Sequence, residues 1–187
     1  MVKIVVIDNG GQWTHREWRV LREIGVESEI IKNDTPLENI KADGIVLSGG
    51  TANFSYEEKV LGRVDEYLAK ASVPILGICL GHQFMAIYYG GKVQKSKTPE
   101  FGKVKITVGQ SLLYDSLPRH FVAWESHNDE VVSLPKNFRA TGFSNTCPIE
   151  SMEDEKQQRF GVQFHPEVEH TQYGREIFKN FIKICKK

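Results

Sequence analysis

The chain has 187 residues, 40% hydrophobic and 26% charged, with 24 basic side chains set against 24 acidic ones. That length fits one domain with a sizeable core, and the composition excludes disordered and fibrous classes. Zero formal charge gives no electrostatic ground for nucleic acid or an anionic membrane as a partner.

In chain order, residues 4–7 are consecutive β-branched side chains and read as a strand buried on both faces. After the Asn9-Gly10-Gly11 turn, Leu21 and Ile24 share one face of a helix that Gly25 can end. Residues 26–31 and 44–47 read as a second and a third strand. Val60, Leu61, Val64 and Leu68 recur at helical spacing and predict a second helix. A fourth strand at residues 73–78 runs into a helix over about residues 80–89, stopped by Gly90-Gly91. Strands alternating with helices imply crossover connections and a mostly parallel sheet.

The second half changes character. Residues 103–108 alternate polar and apolar, and residues 139–143, 149–152 and 160–164 are short strand candidates. Ile177, Phe178, Phe181 and Ile182 form one face of a closing helix. The expected fold is therefore α/β over residues 1–187 as a single domain: a mostly parallel central sheet flanked by helices, with an antiparallel β-rich stretch between about residues 93 and 164.

The opening run, Met1-Val2-Lys3-Ile4-Val5-Val6-Ile7-Asp8, is too short for a signal peptide, and no stretch approaches the roughly 20 apolar residues that span a bilayer. Cys79, Cys147 and Cys185 are odd in number and show no spacing pattern. They argue against a disulfide framework and for a reducing, cytoplasmic setting in which a catalytic thiol survives.

The segment with most chemical content is Pro74-Ile75-Leu76-Gly77-Ile78-Cys79-Leu80-Gly81-His82-Gln83. A lone free cysteine is ordinarily a small buried hydrophobe. Here glycines stand two residues either side of Cys79, between a strand and a helix, which is the thiol counterpart of the Gly-x-Ser-x-Gly nucleophile elbow. The turn is sharp, and bulky neighbours would collide with the adjoining strand and helix. A helix N-terminus favours thiolate, and the N–H of Leu80 points where an oxyanion would form. The elbow alone fits several cysteine hydrolases.

A thiolate attacking an amide needs a proton donor for the leaving nitrogen and a base for the later water, and histidine serves both. Of His15, His82, His120, His127, His165 and His170, His165 stands out in Phe164-His165-Pro166-Glu167, at the end of an apolar strand. Pro166 pushes His165 toward extended backbone, so Glu167 at i+2 points the same way and can hold the imidazole. Read by itself, this segment equally describes a surface histidine beside a turn proline. No Cys-x-x-Cys or His-x-x-x-His spacing appears, so no metal site is expected.

Gly77-Ile78-Cys79-Leu80-Gly81-His82-Gln83 together with Phe164-His165-Pro166-Glu167 resembles the class I, or triad, glutamine amidotransferases, and the likeness covers essentially the whole chain. It implies Cys79 as nucleophile, His165 as acid–base and Glu167 as its orienter. Leu47-Ser48-Gly49-Gly50 is similar to that family's oxyanion loop, with the N–H of Gly50 joining that of Leu80; Thr51 stands where many members have proline. The resemblance also implies substrate contacts from Gly49 and Gln83 and from Ser126-His127-Asn128.

Asp8-Asn9-Gly10-Gly11-Gln12, the block from Trp124 to Val131, and Val168-Glu169-His170-Thr171 are most similar to the branch of the family that serves GMP synthetases. That likeness implies a separate ATP-pyrophosphatase partner subunit converting XMP to GMP, with ATP and Mg on the partner, no cofactor in this chain, and a heterodimer. Other branches, serving anthranilate, aminodeoxychorismate or carbamoyl phosphate synthesis, stay open at this point, as does a γ-glutamyl hydrolase or cysteine peptidase on the same fold.

Overall fold

Alternation along the first strand creates a core on each side of a sheet. In β1 (Lys3–Asp8), Ile4 and Val6 join one buried cluster, while Val5 and Ile7 join another. The structure is a computed structural model that describes residues 1–51 and 62–186. α1 (Thr14–Ile24) leads into β2 (Glu27–Lys32), and Gly25, at φ 94°, closes the helix by donating to the carbonyls of Arg22 and Leu21. Glycine suits that left-handed position because it has no Cβ to clash. β3 (Gly44–Leu47) follows, then α2 (Val64–Lys70), β4 (Ile75–Ile78) and α3 (Leu80–Tyr88). Val64 and Leu68 face the core from α2, whereas the Val60 and Leu61 part of the predicted helix lies outside the described residues.

β5 (Lys92–Val108) and β6 (His120–Ser133) form a long antiparallel hairpin. β7 (Arg139–Phe143), β8 (Ser151–Asp154), β9 (Arg159–Val162) and α4 (Gly174–Cys185) complete the chain. The nine strands of the described residues make one sheet in the order β2-β1-β3-β4-β9-β8-β7-β5-β6. Pairing is parallel from β2 to β9 and antiparallel beyond it. β9 belongs to both halves, parallel to β4 and antiparallel to β8. The parallel core with an antiparallel extension is the expected architecture.

Leu21 of α1 and Ile177, Phe178 and Phe181 of α4 cover one face; Tyr67 and Leu68 of α2 and Met85 and Ala86 of α3 cover the other. Each fully buried leucine, isoleucine, phenylalanine or methionine among them contributes about 1.5–3 kcal/mol. No described helix is long and apolar enough to cross a membrane.

The hairpin departs from the sequence reading. β5 starts 11 residues before the expected strand at 103, and β6 is not among the expected strands. The cause is the identity of the inward residues. Ser96 and Glu100 face inward from β5, and Glu125 and His127 from β6. Apolar alternation is therefore interrupted although burial alternates.

Candidate active site

Carboxyl ends of the parallel strands carry the residues singled out above, as the open α/β sheet rule requires. Asn9 follows β1, Ser48-Gly49-Gly50 follows β3, Cys79 follows β4, and His165 comes three residues after β9. They meet at a cleft of about 310 Å³ whose described lining includes Trp13, Gly50, Cys79, Ser126, Asn128 and His165. That volume lies at the small end of ligand sites.

At the elbow the strained residue is Cys79 itself, with φ 49° and ψ −101° at the N-terminus of α3. Neither flanking glycine has positive φ; each is needed for close approach instead. A Cβ on Gly77 would stand 2.6 Å from the Gly81 carbonyl oxygen, and one on Gly81 would overlap the Leu47 carbonyl. The Cys79 N–H donates to the Val162 carbonyl at 2.8 Å, which ties the turn to β9. Leu80 opens α3, so its N–H has no intrahelical acceptor and borders the cleft.

His165 is fixed through both backbone groups. Its N–H donates to the Trp124 carbonyl at 3.0 Å, and its carbonyl accepts from the Thr171 hydroxyl at 2.7 Å. Thr171 Oγ1 also accepts from the Trp124 N–H at 2.9 Å, so one buried hydroxyl locks the His165 segment to β6. Nδ1 of His165 lies 2.7 Å from Oε1 of Glu167, as the i, i+2 reading required. This contact leaves Nε2 for the cleft. Trp13 stands edge-on to the imidazole, with ring centroids 4.4 Å apart. Gly49 shows how close His165 and Cys79 are: a Cβ placed there would lie 3.2 Å from His165 Cε1 and 3.7 Å from Cys79 Cβ. Burial opposes the imidazolium, but Glu167 and then Cys79 outweigh it and hold the His165 pKa well above its ordinary value.

The other expected residues sort by environment. The Asn9 N–H donates to the Ser48 hydroxyl oxygen, and the Asn9 side-chain amide donates to the Ser48 carbonyl; together they anchor the loop carrying Gly49 and Gly50. Gly50 has no space for a side chain, since a Cβ would stand 2.7 Å from the Asn9 carbonyl oxygen. Ser126 borders the cleft, its carbonyl oxygen 4.0 Å from Cys79 Sγ, and Asn128 is exposed there. Gln83 reaches the cleft, but its Nε2 donates to the Asp129 carbonyl at 2.7 Å and to Gln163 Oε1 at 3.0 Å. The His127 ring is buried among polar groups, with Nδ1 3.0 Å from the Asp129 carbonyl and Nε2 3.1 Å from Glu100. Burial lowers the pKa of His82 to about 3, so the histidine of the elbow segment stays neutral.

Two neighbours escaped sequence reasoning. Gln163 donates to Cys79 Sγ at 3.5 Å; the same period of two that links His165 to Glu167 points back to it. Glu17 is 1% exposed, and its Oε1 accepts the Gly49 N–H at 3.3 Å. Burial first, and the charge of Glu167 second, push its pKa well above the ordinary carboxylate range. A glutamate on the inner face of an amphipathic helix was the available signal.

The family model described as Glutamine amidotransferase class-I matches residues 5–185. The chain is 50% identical over 187 residues to a glutamine-hydrolyzing GMP synthase subunit of Thermoplasma volcanium, covering 99% of this chain and 93% of that relative. It is 51% identical over 188 residues to the protein of the same name from Pyrococcus abyssi, covering 97% and 98%. A crystal structure assigned as a GMP synthase subunit from Thermoplasma acidophilum superposes with a TM-score of 0.94 at 50% identity, over 100% of this chain and 94% of that one. A glutamine amidotransferase from Thermotoga maritima shares the fold, with a TM-score of 0.75 at 23% identity over 99% and 82%. With its sequence matched from end to end and a cysteine elbow facing a carboxylate-braced histidine, the chain belongs to the class I glutamine amidotransferases.

Proposed function

We propose that this chain hydrolyses glutamine to glutamate and ammonia and passes the ammonia to a separate synthetase subunit that makes GMP from XMP. The observation carrying the chemistry is the His165 imidazole, held by Glu167 at 2.7 Å and set against Cys79 across Gly49. The GMP branch rests on the two relatives so named and on the blocks around Asn9 and Thr171, both of which support site loops.

Cys79 Sγ attacks the side-chain amide carbon of glutamine, and the carbonyl electron pair moves to oxygen. The N–H groups of Leu80 and Gly50 receive that charge, each worth roughly 3–4 kcal/mol in a comparable enzyme. His165 delivers its Nε2 proton to the amide nitrogen as the C–N bond breaks, and ammonia leaves. The imidazole then takes a proton from water, whose oxygen attacks the γ-glutamyl thioester; the C–S bond breaks and glutamate departs. Gly49, Gln83 and the backbone of residues 126–128 position the substrate, with Gln83 acting through its carbonyl oxygen because its amide donors are engaged.

Ammonia released into water becomes ammonium and ceases to be a nucleophile, so transfer needs a docked partner. No Walker-type phosphate loop occurs in this sequence. ATP and Mg belong to the ATP-pyrophosphatase subunit, and the hydrolysis itself needs no cofactor here. Free thiols at Cys79, Cys147 and Cys185 fit a cytoplasmic setting.

Cys79→Ala removes only the nucleophilic sulfur and should abolish ammonia release with the fold retained. Glutaminase activity unchanged in that variant rejects the assignment. Turnover of γ-glutamyl peptides or polyglutamate but not glutamine identifies a γ-glutamyl hydrolase or peptidase instead. GMP formation from XMP, glutamine and ATP on adding the partner subunit tests the pathway separately.

A further inference from the structure

Outside the reacting groups, the oddest feature is a buried polar cluster behind the strand that carries Ser126. Glu100 of β5, His127 of β6, and Cys147 and Glu150 of the segment before β8 meet there, all four buried. Each can offer one donor atom, and the four donor atoms lie within 4.8 Å of one another. The set is one imidazole nitrogen, one sulfur and two carboxylate oxygens. Zinc and similar borderline cations accept that mixture in four-fold coordination, whereas calcium and magnesium require oxygen alone.

Two further observations point to a cation. Glu150 and Glu125 are each 0% exposed, and among the described residues their oxygens have no hydrogen-bond partner of good geometry; the two carboxyl groups face each other, and Glu150 also faces Glu100. Carboxyl groups packed together in such a place cannot all be ionised unless a cation joins them. The second observation is the setting of His127. Its Nδ1 is 3.0 Å from the Asp129 carbonyl, which only accepts, so Nδ1 carries a proton. Nε2 then faces Glu100 Oε2 at 3.1 Å and Glu125 Oε2 at 3.5 Å. A ring nitrogen between two carboxyl groups is a position that a proton or a metal ion can occupy. One N–H on a backbone carbonyl with the other nitrogen turned inward is the usual arrangement of metal-bound histidine. Glu100 is oriented as a ligand would be: its Oε1 accepts from the hydroxyls of Ser144, at 2.6 Å, and Thr146. Ser144 Oγ in turn accepts the Cys147 N–H at 2.8 Å and fixes the thiol.

The geometry points to a structural zinc site formed by Glu100, His127, Cys147 and Glu150, with Glu125 in contact with the histidine. A tetrahedral ion with bonds of about 2.0–2.3 Å spaces its ligands roughly 3.3–3.8 Å apart, so the widest pair closes by about 1 Å on binding. Uptake releases the Cys147 thiol proton to solvent as the thiolate binds. The ion takes no part in glutamine hydrolysis. It ties β5, β6 and the segment of residues 144–150 together, and thereby steadies the Ser126 carbonyl beside Cys79. The donors are scattered over 50 residues of sequence from Glu100 to Glu150, so no short motif announces them.

The test uses the full-length, untagged chain carrying Cys79→Ala, which removes the competing thiol of the cleft and makes the readout independent of the glutaminase reading. After chelator treatment, cobalt(II) is titrated as a probe and zinc(II) is then added. The expected result is a single equivalent of cobalt, a thiolate-to-cobalt charge-transfer band that zinc abolishes, and a rise in Tm with zinc. Adding Cys147→Ser should eliminate the band, and adding Glu150→Gln should weaken zinc binding by about tenfold or more. Circular dichroism checks the fold of each variant, and structure that is lost on chelation but regained with zinc also supports the site. Absence of both the band and the Tm shift overturns the inference, because the cluster is then held by protons shared between Glu100, Glu125 and Glu150. A band that survives Cys147→Ser overturns it equally.

Discussion

A methyl group added at Gly49 would test the proposed mechanism at its tightest point. A Cβ there would stand 3.2 Å from His165 Cε1, 3.7 Å from Cys79 Cβ and 3.9 Å from His165 Nδ1. Optimal carbon–carbon contact is about 3.5–4.0 Å, so only the first contact is short, and the imidazole must retreat by a few tenths of an ångström. The backbone tolerates alanine, since Gly49 lacks positive φ. Gly→Ala at a compatible position gains about 0.4–1 kcal/mol through the unfolded chain, whereas overpacking costs about 1–3 kcal/mol. Net destabilisation of Gly49→Ala should therefore stay within about 2–3 kcal/mol. The ring has little room to adapt, with Nδ1 held by Glu167 and Trp13 edge-on beside it. Small misplacement of a reacting group costs up to about 100-fold in rate, so kcat should fall by about 10- to 100-fold while thermal unfolding shows a folded protein. Gly109→Ala is the control, because the nearest atom to its added Cβ is the Thr141 carbonyl oxygen at 3.9 Å; activity and Tm should both persist. Ammonia release followed over a range of glutamine concentrations separates kcat from KM. A folded Gly49→Ala protein with unchanged kcat would mean that His165 does not carry the proton transfers.

Glu167→Gln keeps an acceptor for Nδ1 but deletes the charge, so kcat should drop on the order of 10²–10⁴, and the alkaline limb of the rate profile should move to lower pH. A profile of unchanged shape contradicts Glu167 as the brace. Glu17→Gln concerns stability: the folded pKa of Glu17 is raised above its ordinary 4.5, so the native state holds more protons than the unfolded chain and stability declines as pH rises from about 4.5 through the folded value. The neutral variant escapes that decline, and its Tm gain over the parent should be larger at pH 8 than at pH 5; calorimetry giving equal shifts at both would refute it. Thr171→Val removes the hydroxyl shared by the Trp124 N–H and the His165 carbonyl. The variant should lose about 1–3 kcal/mol of stability in chemical denaturation together with glutaminase activity, and unchanged stability would show the bridge to be dispensable.

How legible each part was in the sequence depended on which side chains faced inward. β1, β3 and β4 are buried on both faces by aliphatic residues, so their runs stood out, and Gly25 closed α1 where it was expected. Cys79, His165 and Glu167 were readable because local backbone rules place each of them: a strand-to-helix turn for the thiol and a period of two for the other pair. β6 was hidden because its inward positions include Glu125 and His127, which periodicity arguments score as solvent-facing. Glu17 escaped for the same reason, lying on the buried side of α1. Strand pairing supplies what sequence spacing cannot: Glu100 stands opposite His127 across β5 and β6, beyond a register shift between Lys95 and Glu100.

The charge pattern behind the cleft explains how two carboxyl groups can share one imidazole. Glu167 touches the ring at 2.7 Å, whereas Glu17 reaches the Gly49 N–H with one oxygen and, among the described residues, has no hydrogen-bond partner for the other. Two ionised carboxylates in one water-poor pocket repel, and the one without a cationic partner keeps its proton. Burial and Glu167 hold the proton on Glu17, so the negative charge sits where it stabilises His165 as a cation. In the proposed mechanism departing ammonia needs a proton donor already in place when the thiolate attacks, and the raised pKa of His165 would supply one near neutrality. That raised pKa also contributes stability that is complete below the ordinary histidine value of 6.5 and disappears as pH rises through the folded one. Alkaline pH should therefore weaken the fold and the rate through the same group, and Glu167→Gln should shift both together.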